Sequence, residues 1–105
     1  MTFKTYRIYN NYVKIEFDPA KREIVLRERG LDLADAGTLL GGNRLDELDD
    51  RFDYGEDRWR SLGLLRGEVV ACVWVALEAD RVRIITMWKA RRHEQEKFFR
   101  FWESV

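Results

Sequence analysis

Histidine, cysteine and proline each occur once in this 105-residue chain, and no apolar run approaches the ~18 residues of a membrane span. Each scarcity excludes something. A lone Cys72 cannot close an internal disulfide, and its place in the apolar run 69–77 makes it a small buried side chain. One histidine and one cysteine give no metal-ligand spacing, so neither a metal nor a cofactor is expected. Gly41-Gly42 is not followed by Lys-Ser or Lys-Thr, so there is no phosphate-cradling loop. The opening residues MTFKTYRIYN lack the apolar core of a signal peptide, which makes a cytoplasmic protein without membrane contact the expectation. No repeat, low-complexity segment or Pro/Gly/Ser linker divides the chain, so residues 1–105 read as a single domain. With 46% hydrophobic residues it has enough apolar surface for a core, and disorder is not expected.

Net charge is also lacking: 19 basic residues balance 19 acidic ones. The balance hides a segregation. Residues 46–57, DELDDRFDYGED, hold seven acids against Arg51, whereas residues 81–100 hold seven Lys or Arg against Glu94 and Glu96. That polarity suits a basic face for a phosphate chain, with an acidic segment elsewhere. A solvated acidic loop and an ordinary helix surface would have the same composition.

The elements follow from periodicity and punctuation. YVKIEF at 12–17 alternates as a strand. Asp18-Pro19 supplies an N-cap and a proline at the first helical position, and Gly30 stops the helix that ends near Arg29. Asp32 caps a second short helix over 33–40. Strands 58–65 and 68–77 flank a hairpin turn at Arg66-Gly67. VVACVWVAL lacks polar alternation and reads as a central strand covered on both faces. A third strand spans 82–88, and a last helix runs from Ala90 to about Glu103 with Phe98, Phe101 and Trp102 at helical spacing. The expectation is an α+β domain: an N-terminal strand, two helices, a three-stranded antiparallel meander and a C-terminal helix. Residues 1–12 pair with the first strand through an Asn10-Asn11 turn, or form an upstream arm.

The stretch RVRIITMWKARRHEQEK at 81–97 is the most informative. Strict alternation puts Val82, Ile84, Thr86 and Trp88 on one face and Arg83, Ile85, Met87 and Lys89 on the other. Lys89, Arg91, Arg92 and His93 crowd the strand's end. Cations fixed on a rigid strand suit phosphate, which makes RNA or DNA the first partner to consider.

Four segments in order, FDPAKRE at 17–23, RERGLDLADA at 27–36, DDRFDYGEDRW at 49–59 and RIITMWKARRHEQ at 83–95, resemble the BrnT family of bacterial toxins, a branch of the RelE-like ribonuclease superfamily. The resemblance spans roughly 14–98 and leaves residues 1–12 as an N-terminal extension to a toxin domain at 13–105. It implies a small RelE-like toxin that cleaves RNA and inhibits growth, silenced by a BrnA-like antitoxin in a two-plus-two assembly. Operator DNA would be reached only through that antitoxin. Two positions depart from the family pattern. Trp88 stands where Arg usually precedes the Lys-Ala pair, and Glu28-Arg29-Gly30 stands where many members have Lys-His-Gly.

Metal-free RNA cleavage needs the 2′-hydroxyl deprotonated, the pentacoordinate phosphorus stabilised and the 5′-oxygen protonated. Lys89, in the Lys-Ala pair, is the first candidate for the phosphorus, and Arg83 joins it by even spacing. A solvated edge lysine and an arginine paired across the sheet are the plainer readings. Glu56, in the YGE motif, accepts the 2′-hydroxyl proton or pairs with Arg58 or Arg83. His93 exchanges protons near neutrality or is a surface residue. Arg29, Arg58, Arg91 and Arg92 complete the candidate RNA contacts. The alternative to a nuclease is a catalytically degenerate homologue, with Trp88 in place of arginine, that binds an antitoxin and serves autoregulation.

Overall fold

Asp18, Pro19 and Gly30 delimit the first helix as the sequence requires. In the computed structural model, which describes residues 4–7, 14–51, 53–78 and 80–104, helix α1 spans Pro19–Arg29. The Asp18 carboxylate accepts from the Ala20 N–H at 3.0 Å, and Gly30 closes the helix at φ 68°, a left-handed conformation that costs glycine nothing. Asp32 caps as expected, accepting from the Ala34 N–H at 2.9 Å. The segment after it is not the continuous 33–40 helix expected. The Asp35 N–H bonds the Asp32 carbonyl at 2.9 Å, which tightens Leu33–Asp35 into a 3₁₀ turn before the short helix α2, Ala36–Gly41.

Strands β1 (Lys4–Arg7), β2 (Lys14–Phe17), β3 (Arg44–Leu48), β4 (Trp59–Leu65), β5 (Glu68–Glu78) and β6 (Arg81–Lys89) form one sheet in the order β1-β2-β6-β5-β4-β3. β1 and β2 pair antiparallel, in line with the hairpin reading; the Asn10-Asn11 turn lies outside the described residues. β2 and β6 are parallel, and the remaining neighbours are antiparallel. The helices after β2 therefore carry the chain across one face to the far edge, from which it returns strand by strand to lie beside β2. Helix α3, Arg92–Glu103, covers part of the opposite face.

The meander has four strands, not three. β3 was not expected because RLDEL shows no apolar alternation and sits partly exposed at the sheet edge, where charge discourages pairing with another chain. Its register is fixed by a polar relay through the buried Ser61: Trp74 Nε1 donates to Ser61 Oγ at 2.8 Å, and Ser61 Oγ donates to the more exposed Asp46 at 2.5 Å. β5 is central and buried on both sides, as its unbroken apolar run requires. Val70 and Cys72 join Ile15, Phe17, Leu33, Ile84 and Met87 beneath α1 and α2. Val69 and Ala71 join Leu62, Ala90 and Phe98 beneath α3. The sheet thus has an α1 face and an α3 face.

β6 departs from strict alternation. Val73 opposes Thr86 but Trp74 opposes Ile84, so Ile85 is an inserted residue in the ladder. The bulge reverses the facing of everything beyond it. Val82, Ile84 and Met87 share the α1-face core, while Trp88 packs into the α3-face cluster.

Candidate functional site

The bulge decides which cations can act together. Arg83 lies before it, between Val82 and Ile84, and so stands on the α3 face beside Val75 and Glu16 of the neighbouring strands. Lys89 lies beyond it, opposite Val70 and two residues from Met87, and so stands on the α1 face. Their Cα atoms are about 20 Å apart along the strand, at ~3.3 Å per residue. The expectation that Arg83 and Lys89 share a face and grip one phosphate is therefore corrected.

The structure gathers a different set. Arg60 of β4 opposes Val73, and Val73 opposes Thr86, which makes a row across three strands of the α3 face. Val75 and Arg83 begin the next row, and Arg58 enters β4 at that end, its carbonyl accepting from the Asp49 N–H at 2.7 Å. Val73 and Val75 are 2% and 5% exposed, so a small apolar floor lies between arginines on the two flanking strands. Arg81 faces the same side, its Nε 3.2 Å from the buried carboxylate of Glu16.

Carboxylates hold these side chains in place. Glu47 lies 3.7 Å from Arg60 and also pairs with Lys97 of α3. Glu56 pairs with Arg58 Nε at 3.6 Å, one of the two pairings expected for it, and the Arg58 guanidinium lies 4.0 Å over the Tyr54 ring. Arg58, Arg60, Arg81, Arg83 and Lys97 stand among Glu16, Glu47 and Glu56, and Asp50, Asp53 and Asp57 line the adjoining loop. The adjoining Asp49–Arg51 pair is neutral. Asp49 is buried, and its two hydrogen bonds from Arg51 (2.7 and 2.9 Å) hold its carboxyl below the usual carboxylate range, with a smaller contribution from Arg60. The guanidinium groups spaced across three strands suit a polyanion laid over them, with the carboxylates of the 49–57 loop at the border.

The remaining candidates stand elsewhere. Lys89, the last residue of β6, is largely exposed and 3.6 Å from Glu68, at the end of the sheet where the two faces meet and a cavity of about 360 Å³ is also lined by Gln95 and Phe99. His93 is exposed on the first turn of α3. Arg92 pairs with Glu96 one turn on, at 3.3 Å. Arg91 caps α3 and lies 5.7 Å over the Trp88 ring. Arg29 reaches the β6 edge that β2 leaves open, its Nη1 donating to Thr86 Oγ1 at 2.9 Å and to the Met87 carbonyl at 2.7 Å. Arg58 and Glu56 thus pair at the end of the α3 face where Arg83 stands on the strand beyond β5. Lys89, Arg91, Arg92 and His93 collect at the other end of β6, and Arg29 lies between.

Arg60, Arg81, Glu16 and Glu47 were missed from sequence. The available signal was the repeated Arg-x-Arg of Arg58-Trp59-Arg60 and Arg81-Val82-Arg83, on the two strands that flank the apolar β5. Cys72 is fully buried and burial pushes its thiol up to about 12, so it is no nucleophile. Among the described residues no group of three His, Cys, Asp or Glu is placed to hold a metal ion. No helix among them is long and apolar enough to cross a membrane.

No curated protein matches the chain. A family model does: residues 17–94 match the one described as ribonuclease toxin, BrnT, of type II toxin–antitoxin system. That span takes in α1, the whole meander and the start of α3, and this chain belongs to the BrnT family of toxins.

Proposed function

We propose that this chain is a metal-independent endoribonuclease with a RelE-like arrangement, and that RNA lies across the α3 face over Arg58, Arg60 and Arg83. The observation that carries this reading is the placement of Arg60 of β4, Arg83 of β6 and Arg58, just ahead of β4, around the floor formed by Val73 and Val75. Guanidinium groups fixed by a sheet stabilise the charge that develops on a pentacoordinate phosphorus without reorganising during the reaction. Glu56, beside Arg58, is the candidate acceptor for the 2′-hydroxyl proton. His93, Arg91 and Arg92, at the other end of β6, would contact RNA to one side of the scissile linkage rather than the linkage itself, and Lys89 lies off that surface.

The family implies an antitoxin partner and an RNA target. We assign the partner as a BrnA-like protein in a two-plus-two complex, with operator DNA bound through that partner, and the cell compartment as the cytoplasm. The test is RNA cleavage by purified chain in EDTA. Cleavage that persists there and disappears in the Arg60→Ala, Arg83→Ala double variant supports the assignment; cleavage unchanged in that variant defeats it.

One observation favours a second reading. Trp88 occupies a position where the family pattern has arginine, and its indole donates to Glu94 Oε1 at 3.2 Å instead of presenting a charge. On that reading the chain is a binding partner without nuclease activity. Growth distinguishes the two: toxicity that appears only with Trp88→Arg supports the degenerate form, and growth arrest by the unaltered chain excludes it.

A further inference from the structure

Trp88 lies on the α3 face, two residues beyond Thr86 in the row that Arg60 begins. From strand spacings its Cα is about 12 Å from that of Arg60, within the combined reach of an arginine and one nucleotide. Its partner across the ladder is Ala71, fully buried in the cluster against which the ring packs, so one side of the indole is fixed. The indole is half-buried against the α3-face cluster, and its plane is set by the 3.2 Å hydrogen bond to Glu94. Glu94 is itself fixed, because the same oxygen accepts from the Arg91 N–H at 2.8 Å.

The other side of the ring is covered loosely. The Arg91 guanidinium is 5.7 Å from the ring centroid, against 4.0 Å for Arg58 over Tyr54, and its side chain is 64% exposed. The same guanidinium lies 3.8 Å from Glu94, a solvent-facing ion pair of the weak kind that a ligand can displace. Arg29 closes the adjoining strand edge through Thr86 and Met87, which keeps the edge beside the indole in a fixed conformation. An anchored indole, an exposed guanidinium above it and a row of cations next to them are the parts from which single-stranded RNA sites are made: the backbone is held by charge and a base is stacked on an aromatic face.

We propose that Trp88 and Arg91 form a base-binding subsite that stacks one unpaired purine of the RNA between the indole and the guanidinium. The inference rests on the reading of the α3 face as the RNA surface, and it deepens that reading by naming a base class. Purines are favoured because their larger π-face gains more from stacking. The subsite makes Trp88 useful whether or not the chain cleaves RNA.

The test is binding of the full chain, at fixed salt, to two 2′-O-methyl hexanucleotides that resist cleavage, one of adenine and one of uracil. The unaltered chain should bind the adenine oligomer at least fivefold tighter. Trp88→Phe should keep most of that preference, and Trp88→Leu should abolish it while binding the uracil oligomer as before. A folded Trp88→Leu with the original ratio overturns the subsite. Should Trp88→Leu fail to fold, 5-fluorotryptophan labelling decides: the Trp88 resonance, assigned by its loss in Trp88→Phe, must shift with the adenine oligomer, and a resonance that stays in place overturns the proposal. Arg60→Gln with Arg83→Gln separates the two levels. If that pair leaves affinity for both oligomers intact, the arginine face is not the RNA surface. If it weakens both while the Trp88→Leu ratio is unchanged, the arginine face stands and the base subsite falls.

Discussion

Arg83 and Lys89 belong to one strand and face opposite sides of the sheet. The cause is a single inserted residue, Ile85, which turns Met87 into the core partner of Ile84 and sends Lys89 to the α1 side. A site that needed both cations on one phosphate is therefore ruled out by backbone register. Arg83 gains Arg58 and Arg60 as neighbours in its place.

Arg83 and Lys89 should consequently differ sharply in RNA cleavage. Removing one well-placed electrostatic donor from such a site costs on the order of 2.7–4 kcal/mol of barrier. Arg83→Ala and Arg60→Ala are each expected to slow cleavage by about 100-fold or more, with Lys89→Ala within a few-fold of the parent. Single-turnover rates on one defined RNA, in EDTA, measure all three. A Lys89→Ala as slow as Arg83→Ala would return the site to the other end of β6.

Glu94 joins the end of β6 to α3, and its loss should be felt as stability. Its Oε1 takes the Arg91 N–H at the helix start and the Trp88 indole N–H, and the residue is 7% exposed. Glu94→Ala removes the reciprocal half of a capping box and leaves a half-buried indole N–H without its acceptor, at about 1–2 kcal/mol. Glu94→Gln keeps an acceptor and should cost less. Urea unfolding of both variants gives the comparison, and an alanine variant no less stable than the glutamine one would show that the cap is idle.

The sequence shows plainly what short-range chemistry decides. Asp18, Pro19 and Gly30 set both ends of α1 to the residue, and the unbroken apolar run of β5 announces a strand covered on both faces. β3 was hidden because its place depends on a distant relay through Ser61 and Trp74, while locally it is an acidic edge. The β6 bulge was hidden because Ile84-Ile85-Thr86-Met87 offers apolar or small side chains in either phase, so periodicity does not reveal the insertion. That one ambiguity assigned Lys89 to the wrong face. Arg60 was overlooked because its relation to Arg83 exists only across β5.

Cys72 should resist alkylation in the folded chain. It has no exposed surface and burial raises its thiol to about 12, so at pH 8 there is almost no thiolate and no path to it. Iodoacetamide labelling should be negligible in native buffer and complete in denaturant, read by intact mass. Native labelling at the rate of a free thiol would mean that the α1-face core opens readily.

Asp32 makes part of the stability depend on acid pH. Its carboxylate takes two hydrogen bonds from Arg22, at 2.7 and 2.9 Å, and one from the Ala34 N–H, which together hold its pKa below the ordinary 3.8. A carboxyl depressed on folding stabilises the folded state at pH values above its unfolded pKa, and that contribution is lost as pH falls through the folded one. Asp32 should therefore contribute fully at pH 6 and progressively less below about pH 4. The pair is partly exposed (36% for Arg22, 24% for Asp32), so the ion pair itself is worth no more than about 1 kcal/mol. Asp32→Asn keeps an N-cap acceptor and removes the charge, so it should lower stability at pH 6 and converge on the parent near pH 2. Urea midpoints of both chains across that range give the result, and a difference that stays constant with pH would show that the pairing with Arg22 contributes nothing through its charge.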